Sequence, residues 1–408
     1  MAHAGQVTLG TAGEFRPETL RGTEGFFRVG QDGDGRWWLA DAAGRPFFCK
    51  AVQGVRASAP AATGVPLAPD PATRLRAWGF DAVGTGGDGA GREDGLAFMA
   101  AVDFCRAGAV IVAPCARLPD VFDPDWPRVA AARAAEVCAP LADNRALIGW
   151  VTDDEAAWAQ PRADGRASLL QLCLSLEPSF AAYHAAWEFT LALHGGRIEA
   201  VARAWGVALA NKEVVRGLTR TEAGLRTRGY LRDDARWTRE FARRYFTTAA
   251  AAIRAADANH LVLGCRFIGP VGAAVLAECV YPAVDVAMPD RSEWSLAGAG
   301  PVLAGNFFWP DEREEIPGAA ASRRTWPRLT AVERQLKRGR ATLKRLTAHP
   351  TAVGYVWGQW QDEPTEQPPF ARGLVHVNGA EAREHAELLA AFNARAEALR
   401  RAAKPGRG

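Results

Sequence analysis

Lysine is scarce. The 408 residues hold 49 basic side chains, yet Lys50, Lys212, Lys337, Lys344 and Lys404 are the only lysines. Most arginines fall beside Ala and Glu on helix-like faces, so the Arg excess reads as compositional bias. With 46 acidic residues the net charge is +3, too small to argue for nucleic acid or an anionic membrane as partner. Long apolar runs are missing, which argues against a transmembrane helix. Residues 1–22 lack a basic segment followed by an apolar one and read as an irregular leader, not a targeting signal. The seven cysteines (49, 105, 115, 138, 173, 265 and 279) are odd in number and scattered, with no CxxC pair. A disulfide framework and a zinc site are both disfavoured, and buried reduced thiols in a soluble cytoplasmic protein are expected. GxSxG is absent, so no nucleophile elbow is offered, and no GxGxxG follows the first core strand. Barrel metal-hydrolases bring a His pair from one strand, and none of the seven His is so placed. No cofactor is implied, and nothing sets an oligomeric state.

What is present is a core-forming chain, 48% hydrophobic and 23% charged. Residues 25–55 alternate aromatic runs with DG and AGR turns, the pattern of a β-meander leading into the core. Eight short apolar strands are then expected, over 49–55, 80–86, 109–114, 146–155, 260–267, 284–290, 301–309 and 352–363. Near-continuous apolarity suits parallel strands buried on both faces. Helical patterns fill the gaps at 71–78, 91–106, 126–142, 165–254 in pieces, 270–279, 328–348 and 380–403. Eight strands alternating with helices favour an α/β fold of the (β/α)8 TIM-barrel type, one domain over 23–404, with an N-terminal β-meander. The long fourth connection, about 156–245, predicts a helical insertion capping the barrel.

Barrel chemistry sits at the C-terminal strand ends. In order these ends offer Gln53, then Thr85 and Asp88, then Asp153, Asp154 and Glu155. Arg266 follows, then Asp290 and Glu293, Asn306, and finally Trp357, Gln359 and Asp362; Trp150, Trp158, Trp294, Trp309 and Trp360 accompany them. Carboxylates, amides, one Arg and many indoles suit a carbohydrate, whose C–H faces pack on Trp while its hydroxyls need paired donors and acceptors. The sharpest signal is IGWVTDDEAAW (148–158), where three carboxylates crowd one strand end and should raise one another's pKa. The competing readings are helix capping by Asp153 and Asp154, or a cation held by the triplet in a metal-dependent enzyme. Arg266 either pairs with that triplet or binds substrate, Asp362 either fixes its own loop or touches ligand, and Gln53 reaches inward.

These segments resemble the agarase-like branch of the retaining β-glycoside hydrolases. GRWWLADAAGRPFFCKAVQGV, LRAWGFDAVGTGGD, LPDVFDPDW, NRALIGWVTDDEAAW, HGGRIEAVARAWG, RYFTTAAAAIRAADANHLVLGCRF and VGYVWGQWQDEP carry the resemblance in order across roughly 24–398. It implies a (β/α)8 barrel whose fourth strand ends in Asp-Asn-Glu, so that Glu155 becomes the general acid/base and Asp154 stands where an Asn holds a sugar 2-hydroxyl. Trp357 takes the position of the aromatic floor, with Trp158, Trp309, Gln53, Asp153, Arg266, Glu293 and Asp362 as further substrate contacts. The seventh strand, PVLAGNF (301–307), puts Asn306 at the nucleophile position, and an amide cannot form a covalent glycosyl-enzyme.

Four readings follow from that departure. The chain is a catalytically inactive glycan-binding barrel; or a hydrolase whose second carboxylate is Asp154, Glu293, Asp290 or Asp362; or a substrate-assisted enzyme with Asn306 orienting a 2-acetamido group; or a barrel with different, metal-dependent chemistry. Carboxyl groups about 6.5–9.5 Å apart would mark inversion, and about 5–5.5 Å retention. The expected partner is an oligosaccharide or glycoconjugate.

Overall fold

The structure is a computed structural model that describes residues 15–57, 69–92, 94–113, 116–156, 168–219, 227–267, 271–289, 300–309, 331–362, 373–376 and 378–403. The chain opens on three antiparallel strands, β1 (Arg28–Gln31), β2 (Trp37–Ala40) and β3 (Pro46–Phe47). Asp32 and Asp41 build the two turns between them. Each carboxylate accepts backbone N–H groups two and four residues on, from Asp34 and Arg36 in one turn and from Ala43 and Arg45 in the other.

Strand β4 (Cys49–Val52) then enters a parallel sheet, followed by helix α1 (Pro71–Ala77), β5 (Ala82–Val83) and β6 (Ala97–Ala101). The third barrel strand is therefore β6, inside the 91–106 segment expected to be helical. Its sequence AFMAA favours a helix by propensity, and burial between two neighbouring strands overrides that preference. The β-branched run expected as the third strand is β7 (Val110–Ala113), which turns back on β8 (Ala116–Pro119) as an antiparallel hairpin outside the barrel.

Helix α2 (Trp126–Cys138) leads to β9 (Leu147–Ala156). Among the described residues, five helices separate β9 from β10 (Leu261–Phe267): α3 (Leu169–Leu174), α4 (Ala181–Leu193), α5 (Ile198–Trp205), α6 (Lys212–Thr219) and the long α7 (Arg228–Ala256). Strands β11 (Val302–Phe307) and β12 (Ala352–Trp357) follow, with α8 (Ala331–Ala348) between them and α9 (Arg383–Asn393) and α10 (Ala396–Ala402) after.

The seven parallel strands run in the order β10-β9-β6-β5-β4-β12-β11. Two residues join its edges, since Met288 bridges Arg266 of β10 and Ala287 bridges Val302 of β11, both in parallel. The sheet thus closes into a barrel of the TIM type, and the sixth strand expected over 284–290 is reduced to this pair. Pro289 comes next and has no N–H to extend the ladder.

Alternate side chains divide into two apolar layers. One fills the barrel interior with Cys49, Ala51, Ala82, Met99, Ile148, Val151, Leu261, Leu263, Leu303, Val353 and Val356, and Phe27, Val29, Trp37 and Leu39 of the meander belong to that same cluster. The meander thereby plugs the N-terminal end of the barrel. The other layer lies between strands and helices. Arg400 on α10 pins the plugged end: fully buried, it donates to the carbonyls of Trp37 (2.6 Å), His349 (2.9 Å), Pro350 (3.1 Å) and Thr347 (3.2 Å). Its guanidinium lies over Trp38 and Phe48, 4.9 and 5.4 Å from the ring centroids.

Candidate functional site

The site follows from which residues the strand alternation turns inward at the open end. On β4 the inward positions are Cys49 and Ala51, and the next in that phase is Gln53. Its Nε2 donates to Thr85 Oγ1 at 2.8 Å and to Asp154 Oδ2 at 2.9 Å. On β10, Leu261 and Leu263 face inward and Arg266 joins them after a register shift at Gly264. Its Nε donates to Asp154 Oδ1. Asp154 is thus held on both oxygens by partners from the first and fifth strands. Arg266 is nearly buried, with 3% of its side chain exposed against 19% for Asp154, so the pair sits at a partly desolvated mouth.

Strand β9 separates its carboxylates by being irregular. Between Val151 and Asp154 it takes three steps while β10 takes two, from Gly264 to Arg266. The extra residue keeps Val151 and Asp154 on the inner side and leaves Thr152 and Asp153 together on the outer one. There Asp153 accepts from the Cys105 amide at 2.8 Å and from the hydroxyl of Tyr245 on α7, which also lies 2.8 Å from Thr152 Oγ1. Burial pushes the Asp153 carboxyl up to about 7.

This placement removes one of the readings made from sequence. Asp153 and Asp154 lie within a strand and cap no helix, and they face opposite sides of it. Among the described residues no group of three His, Cys, Asp or Glu is arranged to hold a metal. A second shift follows at once, because Arg266 and Phe267 pair with Asp154 and Ala156, leaving Glu155 as the unpaired residue of a bulge. The side chain of Glu155 lies outside the described residues, as do Trp158, Asp290, Glu293 and Trp294.

On the opposite wall, β11 takes three steps from Ala304 to Phe307 while β12 takes two, so Asn306 also stands at a bulge. Its φ of +48° is left-handed, a conformation that Asn tolerates better than most side chains. A Cβ on Gly358 would lie 2.5 Å from Asn306 Oδ1, and one on Gly305 would meet Arg266 Cγ at 3.4 Å. Asn306 therefore stands against the eighth strand's end, and the residue before it lies beside Arg266.

Other expected contacts are occupied elsewhere. Trp357 and Trp309 pack edge-to-face at 4.5 Å and are 3% and 4% exposed. The Trp309 indole N–H donates to His385 Nδ1 at 3.0 Å, and a Cβ on Gly339 of α8 would sit 2.8 Å from that indole. This burial leaves almost none of either indole face open to a sugar. Asp362 fixes its own loop, accepting from the Gly373 amide and bonding His376 Nδ1, both at 2.8 Å. Tyr245 was not legible as part of the site. It belongs to an apolar stripe with Trp237 and Phe241 at four-residue spacing, and only its hydroxyl at the depth of the β9 end sets it apart.

No protein-family model matches the chain, and no curated protein does. Solved structures share its fold. An exo-β-agarase superposes with a TM-score of 0.65 at 18% identity, over 94% of this chain and 66% of its own. The agarase AgWH50C gives 0.66 at 17% identity, over 95% and 66%. BpGH50 gives 0.66 at 15%, over 95% and 85%. The chain spans about two thirds of the length of the two agarases. The barrel is thus that of these glycoside hydrolase structures. No helix among the described residues is long and apolar enough to cross a membrane.

Proposed function

We propose that this barrel binds an oligosaccharide at its open end as a glycosidase-type protein, with Glu155 as the general acid/base. The observation that carries the reading is the fixation of Asp154. Gln53 and Arg266 hold it from two other strands, one residue before the bulge at Glu155 and across from the bulge at Asn306. Bulges at strand ends are a recurrent way of re-aiming side chains beside an active site. In this role Asp154 accepts a sugar hydroxyl with the lone pairs that Gln53 and Arg266 leave free, and Glu155 protonates the leaving oxygen.

Asn306 accepts and donates hydrogen bonds but supplies no nucleophilic carboxylate, so hydrolysis needs a second acid from elsewhere, or does not occur. The second reading, a glycan-binding barrel without hydrolysis, is favoured by that one residue. Cleavage of a panel of neutral and acidic β-linked oligosaccharides by wild type and by Glu155→Gln separates the two. Cleavage lost in the variant supports the enzyme. No cleavage by either, with a panel member still raising Tm, supports the binding protein. A panel that neither is cleaved nor shifts Tm overturns both.

A further inference from the structure

Asp153 is the described carboxylate at the end of β9 that the proposed chemistry does not use. It is 1% exposed, and no Lys, Arg or His among the described residues bonds to it. The groups that face it are Asp103 and Cys105 from the connection after β6, Tyr245 from α7, and, through Tyr245, Cys265 of β10. None is cationic. An uncompensated buried carboxylate is costly unless its hydrogen bonds are good or it takes up a proton.

The hydrogen-bond chain around it suits both states. Ionised, Asp153 accepts at Oδ1 from the Cys105 amide and at Oδ2 from the Tyr245 O–H, and Tyr245 in turn accepts from the Thr152 hydroxyl. With a proton on Oδ2, Asp153 donates to the Tyr245 oxygen, and Tyr245 turns its own proton to Thr152 Oγ1, 2.8 Å away. The Cys105 N–H to Oδ1 bond, 2.8 Å long, is unchanged. A phenol carries one rotatable proton and spare lone pairs, so the Asp153–Tyr245 bond reverses its direction with no heavy atom moving, and carboxyl and phenol stay paired in both states.

We propose that Asp153 is the positioning residue of this site: it locks the bulged end of β9 to α7 and to the third loop, and exchanges one proton with solvent without releasing that lock. The consequence for Glu155 rests on the reading of the preceding section; the proton exchange does not. An ionised Asp153 places a negative charge on the far side of the strand from the cleft, which favours the protonated, acid-competent form of Glu155. A neutral Asp153 withdraws that help.

The test is 13C NMR of protein labelled at Asp Cγ, titrated from pH 5 to 9. One carboxyl resonance with a midpoint near 7 is expected, absent in Asp153→Asn and moved to higher pH in Tyr245→Phe, which loses the donor that stabilises the carboxylate. Asn reproduces the neutral arrangement, with its amide N–H toward Tyr245, so the variant should fold; should it not, the Tyr245→Phe shift decides alone. Absence of any such resonance, or one that persists in Asp153→Asn, overturns the proposal, and so does a midpoint unmoved in Tyr245→Phe. If wild type cleaves an oligosaccharide, the high-pH limb of kcat/KM in Asp153→Asn moves down by about half a pH unit or more, because Glu155 loses its proton earlier. Lack of cleavage sinks the enzymatic reading and leaves the NMR result standing.

Discussion

Gln53 and Asp154, 101 residues apart in sequence, share a 2.9 Å hydrogen bond across the open end of the barrel. Two strands, β5 and β6, separate β4 from β9 in the sheet's hydrogen-bonded order. A bond of that kind forms only when the barrel is closed and in register, so the site reports on the whole sheet. Arg266 completes it from the other side of Asp154.

Removing that cation should be severe. Arg266→Met leaves Asp154 partly buried with only Gln53 as donor, and breaking a pair in such a setting costs about 3 kcal/mol. Urea denaturation should show the loss as a lower midpoint at unchanged slope. Adding Asp154→Asn to Arg266→Met should recover part of it, because the amide needs no counter-charge.

Asn306 sets a second prediction. Asn306→Glu introduces a carboxylate at the bulge of β11, at a cost of about 1 kcal/mol for a longer side chain held at positive φ. Retaining hydrolysis should appear, or rise well above wild type, with the anomer of the first-formed product read by NMR. A variant that folds and binds sugar yet gives no trace of product would argue that Glu155 and position 306 do not form a catalytic pair.

His385 predicts an acid-sensitive packing. Burial lowers its pKa below the usual value of about 6.5, against the opposing charge of Glu384. Its neutral Nδ1 is needed to accept from Trp309. The contribution is therefore complete above about pH 6.5 and fades as pH falls through the lower, folded-state value. His385→Asn keeps an acceptor that does not titrate, so its Tm should fall less than that of wild type between pH 7 and 5.

Asp153 works in the opposite direction. Its folded-state pKa, about 7, lies above the roughly 4 of an unfolded aspartate. Between those values the folded protein holds the extra proton, so this residue's contribution shrinks as pH rises through the window and is flat above it. The Tm of Asp153→Asn relative to wild type should accordingly improve from pH 5 to pH 8, and a constant difference would contradict the assignment.

Arg400 predicts a large effect far from the cleft. Arg400→Met strands four carbonyls that now share one guanidinium, and the loss should reach about 3 kcal/mol or more. Arg400→Lys should rescue only part, since an ammonium lacks the planar fork that spans them. Differential scanning calorimetry resolves both.

The sequence made most barrel strands legible because buried parallel strands are short, apolar and spaced by helices. It misled at the third, where AFMAA looks helical and the true β-branched run, VIVA, is a strand with a different partner. Propensity describes a segment and says nothing of what pairs with it. The acidic triplet was visible, but its division into an inward Asp154 and an outward Asp153 was not. Strict alternation counted from the inward Val151 would turn Asp153 inward and Asp154 outward, whereas the bulge that exchanges them arises from pairing with β10. Arg266, Gln53 and Asp362 were visible as polar residues at strand ends; which of two roles each plays required the fold.

The meander's Phe27, Val29, Trp37 and Leu39 seal one end of the barrel from within. With the interior packed as well, the barrel has no through-passage. A ligand at the open end can approach and depart only from that one face, so under the proposed hydrolysis a product fragment would compete there with the next molecule arriving.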